Sequence, residues 1–222
     1  MAEQFKVDIN EHQSVTAIAY PASKKNRMGV SLILGHGAGA GQMSAFMVKF
    51  ATELAARGID AVTFNFFYTE HGRGIPDKND LLEACYRAVI ETTRAQKKLA
   101  KNKLAIGGKS MGGRIASQVA AAGAGDLTGL VFLGYPLHPP GRPEKLRGAH
   151  LAQIKAPMLF IQGSRDAFGA PDELRAILKK LPAKLYVVES GDHSFKVPKS
   201  VGTQDEVHTR MLDEIAEWLR TK

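Results

Sequence analysis

A short glycine-flanked segment contains the most reactive arrangement in the chain. Residues 108–112 read Gly-Lys-Ser-Met-Gly, which matches the pattern G-x-S-x-G around Ser110. This pattern suits a sharp turn from a strand into a helix, which holds a serine hydroxyl above a sheet at the helix N-terminus. An apolar segment (104–107) precedes the turn and a helical pattern (111–122) follows it. The context predicts a nucleophile at Ser110, against the alternative of a glycine-rich turn with a bystander serine.

A serine nucleophile needs a base, and two later segments offer the expected partners. Asp166 follows the predicted strand 158–161, and His193 follows the predicted strand 185–188. This order (nucleophile, acid, histidine) is the one that a sheet with such a turn uses. We predict that His193 moves the proton of Ser110 and that Asp166 orients His193. Asp192 is the alternative acid, but sequence neighbours point in different directions. A turn aspartate and an ordinary loop histidine remain the alternative interpretations.

A glycine-rich loop at 35–41 could complete such a site. It reads Gly-His-Gly-Ala-Gly-Ala-Gly and follows the apolar segment 30–34. Its exposed backbone N–H groups predict an oxyanion hole formed by Ala38 together with Met111. A phosphate-binding loop is the alternative, but the Lys-Ser/Thr of a Walker motif is missing and the glycine spacing is not G-x-G-x-x-G. We expect His36 to support this loop beside the substrate rather than to transfer protons.

The remaining predicted substrate contacts lie in loops that follow strands. The segment 134–157 has about two dozen residues and is rich in Pro and Gly, which is too short for a helical lid and predicts an open or shallow pocket. The segment 67–78 could form a wall of this pocket, because functional residues often lie in loops. An ordinary solvated loop is an equally good interpretation of this segment. The predicted contacts are Tyr68, Arg73, Lys109, Tyr135 and His138, with Leu137 and His71 beside them.

The elements that must position these residues alternate between strand and helix. Continuous apolar strands separated by amphipathic helices predict an α/β fold with a mostly parallel sheet covered on both faces, in one domain over 1–222. Ligands bind at the carboxyl ends of such strands. The predicted strands are 14–20 (as an edge strand), 30–34, 61–66, 104–107, 130–133, 158–161 and 185–188. The predicted helices cover about 46–57, 80–98, 111–122, 171–181 and 207–219.

Composition limits the partners of the chain. The 222 residues carry a net charge of +8, which raises the question of nucleic acid or an anionic substrate. No nucleic-acid module is visible, and the densest basic run (94–109) is expected mostly at the opposite edge of the sheet. A single cysteine, Cys85, excludes an internal disulfide. No signal segment, no apolar run of about 18 residues and no metal or cofactor motif occurs, so we expect a cytoplasmic protein without cofactor or membrane.

The motifs together resemble the α/β hydrolase superfamily over nearly the whole chain, from about Gly29 onward. The resemblance rests on His36-Gly37, on 108–113, on Gly163-Ser164-Arg165-Asp166 and on 191–195. Within it, the chain is similar to small capless dienelactone-hydrolase-like enzymes. It most resembles a branch of testis-expressed α/β-hydrolase-like proteins and a subunit of a chromatin-acetylating complex, through 108–114, 134–140 and 64–66. Dienelactone hydrolases use a cysteine where this chain has Ser110, so lactone specificity is not implied.

Three functions follow as alternatives. The first is a serine hydrolase of small-molecule esters or thioesters, which the motif, the order and the placement favour. The second is a binding or scaffold protein with an unused triad, because a fold does not fix a function. The third is nucleic-acid binding, which only the basic charge suggests. The oligomeric state is open, with a homodimer as one alternative.

Overall fold

The chain forms an eight-stranded sheet with helices on both faces. The computed structural model describes all residues from 1 to 222. The strands are β1 (Glu3–Asn10), β2 (Gln13–Tyr20), β3 (Val30–Gly35), β4 (Asp60–Phe64), β5 (Lys103–Lys109), β6 (Gly129–Leu133), β7 (Met158–Gly163) and β8 (Ala183–Val188). The helices are α1 (Ala45–Ala56), α2 (Phe67–Glu70), α3 (Asn79–Ala95), α4 (Met111–Ala121), α5 (Pro171–Leu178) and α6 (Gln204–Arg220), with a 3₁₀ helix at Ala149–Gln153.

The sheet has the order β1-β2-β4-β3-β5-β6-β7-β8. Strands β4, β3 and β5 to β8 are parallel, whereas β2 pairs antiparallel with both β1 and β4. The predicted mostly parallel sheet is therefore confirmed. The prediction that 14–20 is an edge strand was wrong, because β1 covers it. The sequence does not predict strand β1, because its residues follow an exposed, polar pattern in which only Val7 is buried.

The two faces of the sheet are covered by different helices. Alternation along a strand sends successive side chains to opposite faces. In β3, Ile33 packs with the cluster under α3, α4 and α5, while Leu32 and Leu34 pack with the cluster under α1 and α6. Every residue of β3 is buried, as expected for a strand covered on both sides. The continuous apolar strands of the sequence therefore reflect two separate cores.

Helix boundaries follow local capping. Helix α6 begins at Gln204, three residues before the predicted start, because Thr203 and Glu206 form a reciprocal capping box. Helix α1 ends before Gly58, whose φ of +93° favours glycine. Helix α3 ends at Ala95 and α5 at Leu178, about one turn earlier than predicted.

No helical lid covers the carboxyl edge of the sheet. The segment from 134 to 157 contains only the five-residue 3₁₀ helix, as its length predicted. None of the helices combines the length and the apolar character that crossing a bilayer would require.

Most of the basic run at 94–109 lies away from this edge. Strand β5 runs from Lys103 to Lys109, so the residues before it stand at the amino edge of the sheet. There Lys98 pairs with Glu3 at 2.5 Å, and Lys103 donates to the terminal carbonyl of Lys222 at 2.7 Å. Only Lys109 reaches the opposite edge.

Candidate active site

Ser110 occupies a strained turn between β5 and α4. Its φ of 50° and ψ of −115° lie outside the regions that residues with a side chain prefer. The turn packs closely against β3. A β-carbon at Gly108 or Gly112 would stand 2.3 or 2.1 Å from the carbonyl oxygen of Gly35. The two glycines are needed because only they let α4 begin directly against β3. The seryl hydroxyl consequently stands at the carboxyl edge of the sheet.

His193 connects Ser110 to Asp166. Its Nε2 lies 2.9 Å from Oγ of Ser110, and its Nδ1 lies 2.8 Å from Oδ2 of Asp166. The imidazole side chain is 20% exposed and stacks on the ring of Phe168, with 4.1 Å between the ring centroids. A continuous hydrogen-bonded path therefore runs from a serine hydroxyl through an imidazole to a carboxylate, which is the arrangement that activates serine.

The carboxylate of Asp166 is completely buried and fully hydrogen-bonded. Its Oδ2 accepts from the amide Nε2 of Gln162 at 2.9 Å, and its Oδ1 accepts from the backbone N–H of Phe168 at 2.8 Å. Asp192, the alternative acid, instead accepts from the backbone N–H groups of Ser194 and Lys196. Asp166, and not Asp192, therefore contacts His193. Asp192 stabilises the turn that carries His193.

Two backbone N–H groups beside Ser110 have no acceptor in the protein. They belong to Ala38, in the glycine-rich loop, and Met111, the first residue of α4. The loop lies against the nucleophile, since a β-carbon on Gly37 would stand 3.6 Å from that of Ser110. Free N–H groups at a helix N-terminus and a neighbouring loop can stabilise a negative oxygen.

Two open cavities meet at Ser110. The first has a volume of about 470 Å³ and apolar walls from Phe46, Met47 and Phe168. The second, of about 310 Å³, lies toward α3 and α4 and contains Arg114 and Arg147. Ala38, Ser110 and Phe168 border both. The shared border forms a site with access from two sides.

Lys109, which precedes the nucleophile, borders the first cavity. Its Nζ donates to the carbonyl oxygen of His193 at 2.6 Å and lies 5.2 Å from the centre of the Phe195 ring. Burial lowers the pKa of Lys109 to about 8, although Asp166 and Asp192 oppose the change. Lys109 therefore links the serine turn to the histidine loop.

His36 does not border either cavity. It is fully buried, and its Nδ1 donates to the carbonyl of Gly37 at 2.8 Å while its Nε2 accepts from the N–H of Phe66 at 3.2 Å. Burial lowers its pKa, which favours this neutral form. The predicted supporting contact with the loop is present. The expected position beside the substrate is not, because the ring is enclosed between the loops after β3 and β4.

Four other predicted substrate contacts also lie away from the cavities. Tyr68 and Tyr135 are buried, and the hydroxyl of Tyr135 donates to the carbonyl of Arg147 at 3.1 Å. Arg73 pairs with Asp77 at 2.6 Å, and His138 pairs with Glu173 at 3.1 Å. The contacts of Arg73, Tyr135 and His138 link neighbouring segments of the chain. Arg73, Tyr135 and His138 lie in loops as predicted, whereas Tyr68 lies in the short helix α2, and the direction of all four side chains depends on packing that the sequence does not show.

Sequence reasoning missed Phe168, Gln162 and Arg114. Phe168 stacks on His193, and Gln162 is a buried amide that binds Asp166, Tyr135 and the carbonyl of Gly169. A polar residue within the apolar strand β7 was the one available signal for Gln162.

The other reactive groups offer less. The thiol of Cys85 is buried, and burial raises its pKa to about 12, which keeps it protonated. No group of three or more His, Cys, Asp or Glu side chains is arranged to hold a metal ion.

Known proteins share this architecture. Residues 28–220 match the family described as "Alpha/beta hydrolase domain". A serine hydrolase without a lid from Xanthomonas campestris is 21% identical, with a TM-score of 0.72 over 99% of this chain and 92% of that chain. A dienelactone hydrolase from Anabaena variabilis is 19% identical, with a TM-score of 0.77 over 98% and 96%. A serine hydrolase homologue from Coxiella burnetii is 18% identical, with a TM-score of 0.71 over 99% and 96%. At these identities, the structures share the fold.

Proposed function

Since the chain belongs to the alpha/beta hydrolase domain family, we propose that it is a serine hydrolase that cleaves ester or thioester bonds of small molecules. The observation that carries the proposal is the path from Ser110 through His193 to Asp166, with contacts of 2.9 and 2.8 Å. In this proposal the whole chain, 1–222, acts as one catalytic domain.

The reaction begins with the seryl hydroxyl. His193 accepts the proton of Ser110 at Nε2 while Oγ attacks the acyl carbon, and the acyl oxygen becomes negative. The N–H groups of Ala38 and Met111 donate to that oxygen. Protonated His193 then gives its proton to the leaving group, and an acyl-enzyme remains on Ser110. A water molecule, deprotonated by His193, releases the acid and restores the serine.

Asp166 sets the protonation of His193. Its carboxylate accepts a hydrogen bond from the N–H at Nδ1, which keeps the proton on Nδ1 and leaves the lone pair of Nε2 directed at Ser110. The same carboxylate is held by Gln162 and by the N–H of Phe168, so it stays in position when the imidazole becomes positive. These contacts support an orienting role for Asp166.

The cavities support a substrate of modest size. The apolar cavity of about 470 Å³ suits an acyl chain or a small apolar leaving group, and no lid encloses it. The closer resemblance to the testis-expressed branch indicates no substrate. Activity on an ester or a thioester therefore has to be distinguished by experiment.

A fluorophosphonate probe tests the proposal, because it phosphonylates an activated serine. We expect labelling of the wild type and none of Ser110→Ala, with Ser200→Ala, an exposed serine away from both cavities, as the matched control. A panel of p-nitrophenyl esters and acyl-CoA thioesters of increasing chain length then identifies the acyl group. Labelling of Ser110→Ala as strong as that of the wild type, or no labelling of the wild type, would overturn the proposal.

A further inference from the structure

The second cavity beside Ser110 contains two arginine side chains that form no ion pair with an acidic residue. Arg114, in α4, and Arg147, after β6, both border it, and Asp77 is the only acidic residue that does. We infer that this cavity binds a carboxylate on the substrate, so that the preferred substrate is an ester or thioester with one apolar and one anionic arm. The inference rests on the proposed function, whose substrate class it narrows.

Neither guanidinium has an acidic partner. The side chain of Arg147 makes no hydrogen bond or ion pair and is exposed. Arg114 donates only to the neutral side-chain oxygens of Asn79 and Gln118, both at 3.0 Å. Both groups therefore keep donors and charge for a ligand. A carboxylate matches this need because a guanidinium binds it through two parallel hydrogen bonds.

The single acid of this cavity is already engaged. The Oδ1 of Asp77 pairs with Arg73 at 2.6 Å, and its Oδ2 accepts from the backbone N–H of Tyr68 at 2.8 Å. The side chain of Asp77 is only 5% exposed, and its charge is balanced by Arg73 within the loop after β4. The remaining charge of the cavity is that of the two arginines.

The two arginines disfavour each other in the absence of a ligand. Burial lowers the pKa of Arg114, and the positive charge of Arg147 lowers it further, while Tyr135 and Glu83 act in the opposite direction. A bound anion would remove this repulsion, because opposite charge favours the charged form of both groups.

The backbone at both arginines is held by one buried network. Ser117 donates to the carbonyl of Arg114 at 2.6 Å, and Tyr135 donates to that of Arg147 at 3.1 Å. The hydroxyl oxygens of Ser117 and Tyr135 lie 3.3 Å apart, and His150 lies 2.7 Å from Ser117. Helix α4 and the segment after β6 are thus linked beneath the cavity. The arginines are carried by backbone that is ordered before a ligand binds.

The position of the cavity relates the anion to the reaction. Ala38, Ser110 and Phe168 border both cavities, so an acyl carbon at Ser110 can extend one arm into each. The apolar arm faces Phe46 and Met47, and the anionic arm faces Arg114 and Arg147. The carboxylate can belong to the acyl group or to the leaving group.

Matched esters test the inference. To test a carboxylate on the acyl group, p-nitrophenyl hemiglutarate is compared with its neutral methyl ester. To test a carboxylate on the leaving group, 4-acetoxybenzoate is compared with its methyl ester. We expect the ratio of kcat/KM, charged over neutral, to exceed 1 in at least one pair. In Arg147→Gln that ratio should fall about 10-fold or more, mainly through KM. Arg142→Gln, an exposed arginine of the same segment, removes the same charge and should keep the wild-type ratio.

A binding measurement keeps the test independent of turnover. Calorimetry measures the binding of p-nitrophenyl hemiglutarate and 4-acetoxybenzoate to the inactive variant Ser110→Ala. For the preferred ester, adding Arg147→Gln to this variant should weaken binding about 10-fold. Adding Arg142→Gln instead should leave binding unchanged. Arg147→Lys, which keeps the charge without the paired donors, should give an intermediate value. Hydrolysis of neutral esters with no Arg147-dependent preference or binding would overturn this inference alone. Absence of serine labelling would overturn the proposed function instead.

Discussion

The side chain of Lys109 donates to the backbone carbonyl of His193 at 2.6 Å. The residue before the proposed nucleophile thereby holds the loop that carries the proposed base, although 84 positions separate them in the chain. The ammonium group also lies 5.2 Å from the centre of the Phe195 ring, in the same loop. The relative position of Ser110 and His193 thus depends on a side chain that touches neither of their reacting atoms.

Lys109 gives the stability of the protein a distinct pH dependence. Its pKa is about 8 in the fold and 10.5 ordinarily, so between these values the unfolded chain binds the proton and the folded chain does not. Stability then rises with pH over this window. Between pH 8 and pH 10, we expect the free energy of unfolding of the wild type to rise by about 1 kcal/mol relative to that of Lys109→Met. This figure allows for the partial exposure of the Lys109 side chain. Urea unfolding at each pH measures it.

The control for that experiment is Lys145→Met. Lys145 is exposed and its side chain forms no hydrogen bond or ion pair, so folding changes its surroundings little. The difference between the wild type and Lys145→Met should stay constant from pH 8 to pH 10. An equally constant difference for Lys109→Met would contradict the prediction.

Replacing Asp166 tests the orientation of His193. In Asp166→Asn the amide no longer offers a negative acceptor to Nδ1 and can favour the wrong tautomer. We expect kcat for p-nitrophenyl acetate to fall roughly 10³- to 10⁴-fold, with the fold intact by circular dichroism. Asp192→Asn is the matched control, because the carboxylate of Asp192 forms hydrogen bonds only with backbone N–H groups of its own turn. A larger loss of kcat in Asp192→Asn than in Asp166→Asn would contradict the prediction, because it would show that Asp192 orients His193.

The buried amide of Gln162 predicts a large effect on stability. Its oxygen accepts from the N–H of Tyr135, and its nitrogen donates to Asp166 and to the carbonyls of Tyr135 and Gly169. Gln162→Leu leaves several buried groups without partners, and we expect it to lower the free energy of unfolding by about 3 kcal/mol. Gln153→Leu, at an exposed position, should change it by less than about 0.5 kcal/mol. Equal effects of the two substitutions in urea unfolding would contradict this view.

The close approach of α4 to β3 predicts that Gly112 cannot carry a side chain. A β-carbon there would stand 2.1 Å from the carbonyl oxygen of Gly35, and backbone cannot rotate away as a side chain can. We expect Gly112→Ala to lower the free energy of unfolding by about 3 kcal/mol or to prevent folding. Gly74→Ala, where a β-carbon meets no atom within 4 Å, should be close to neutral. Thermal unfolding of the two variants compares them, and a stable Gly112→Ala would refute the packing argument.

Local patterns in the chain predicted most of the sheet. Apolar runs such as that of β3 and helical spacing such as that of α6 depend on neighbours within a few residues, and they gave the elements within a few positions. Strand β1 was missed because its pattern is polar and its pairing with β2 becomes visible only in the sheet. The turn around Ser110 was recognisable because its strain requires glycines close by in sequence.

Tertiary packing determines where the side chains at the carboxyl edge of the sheet point. His36, Tyr68 and Tyr135 have the residue types of substrate contacts, yet packing turns them into the protein. Phe168 and Arg147 carry no sequence pattern, yet they reach Ser110 or its neighbouring cavity because separate strands end at the same edge of the sheet. Residue type and spacing therefore define the reactive groups and the elements that carry them. The fold alone determines which groups meet, because contacts between distant segments depend on how the helices pack on the sheet.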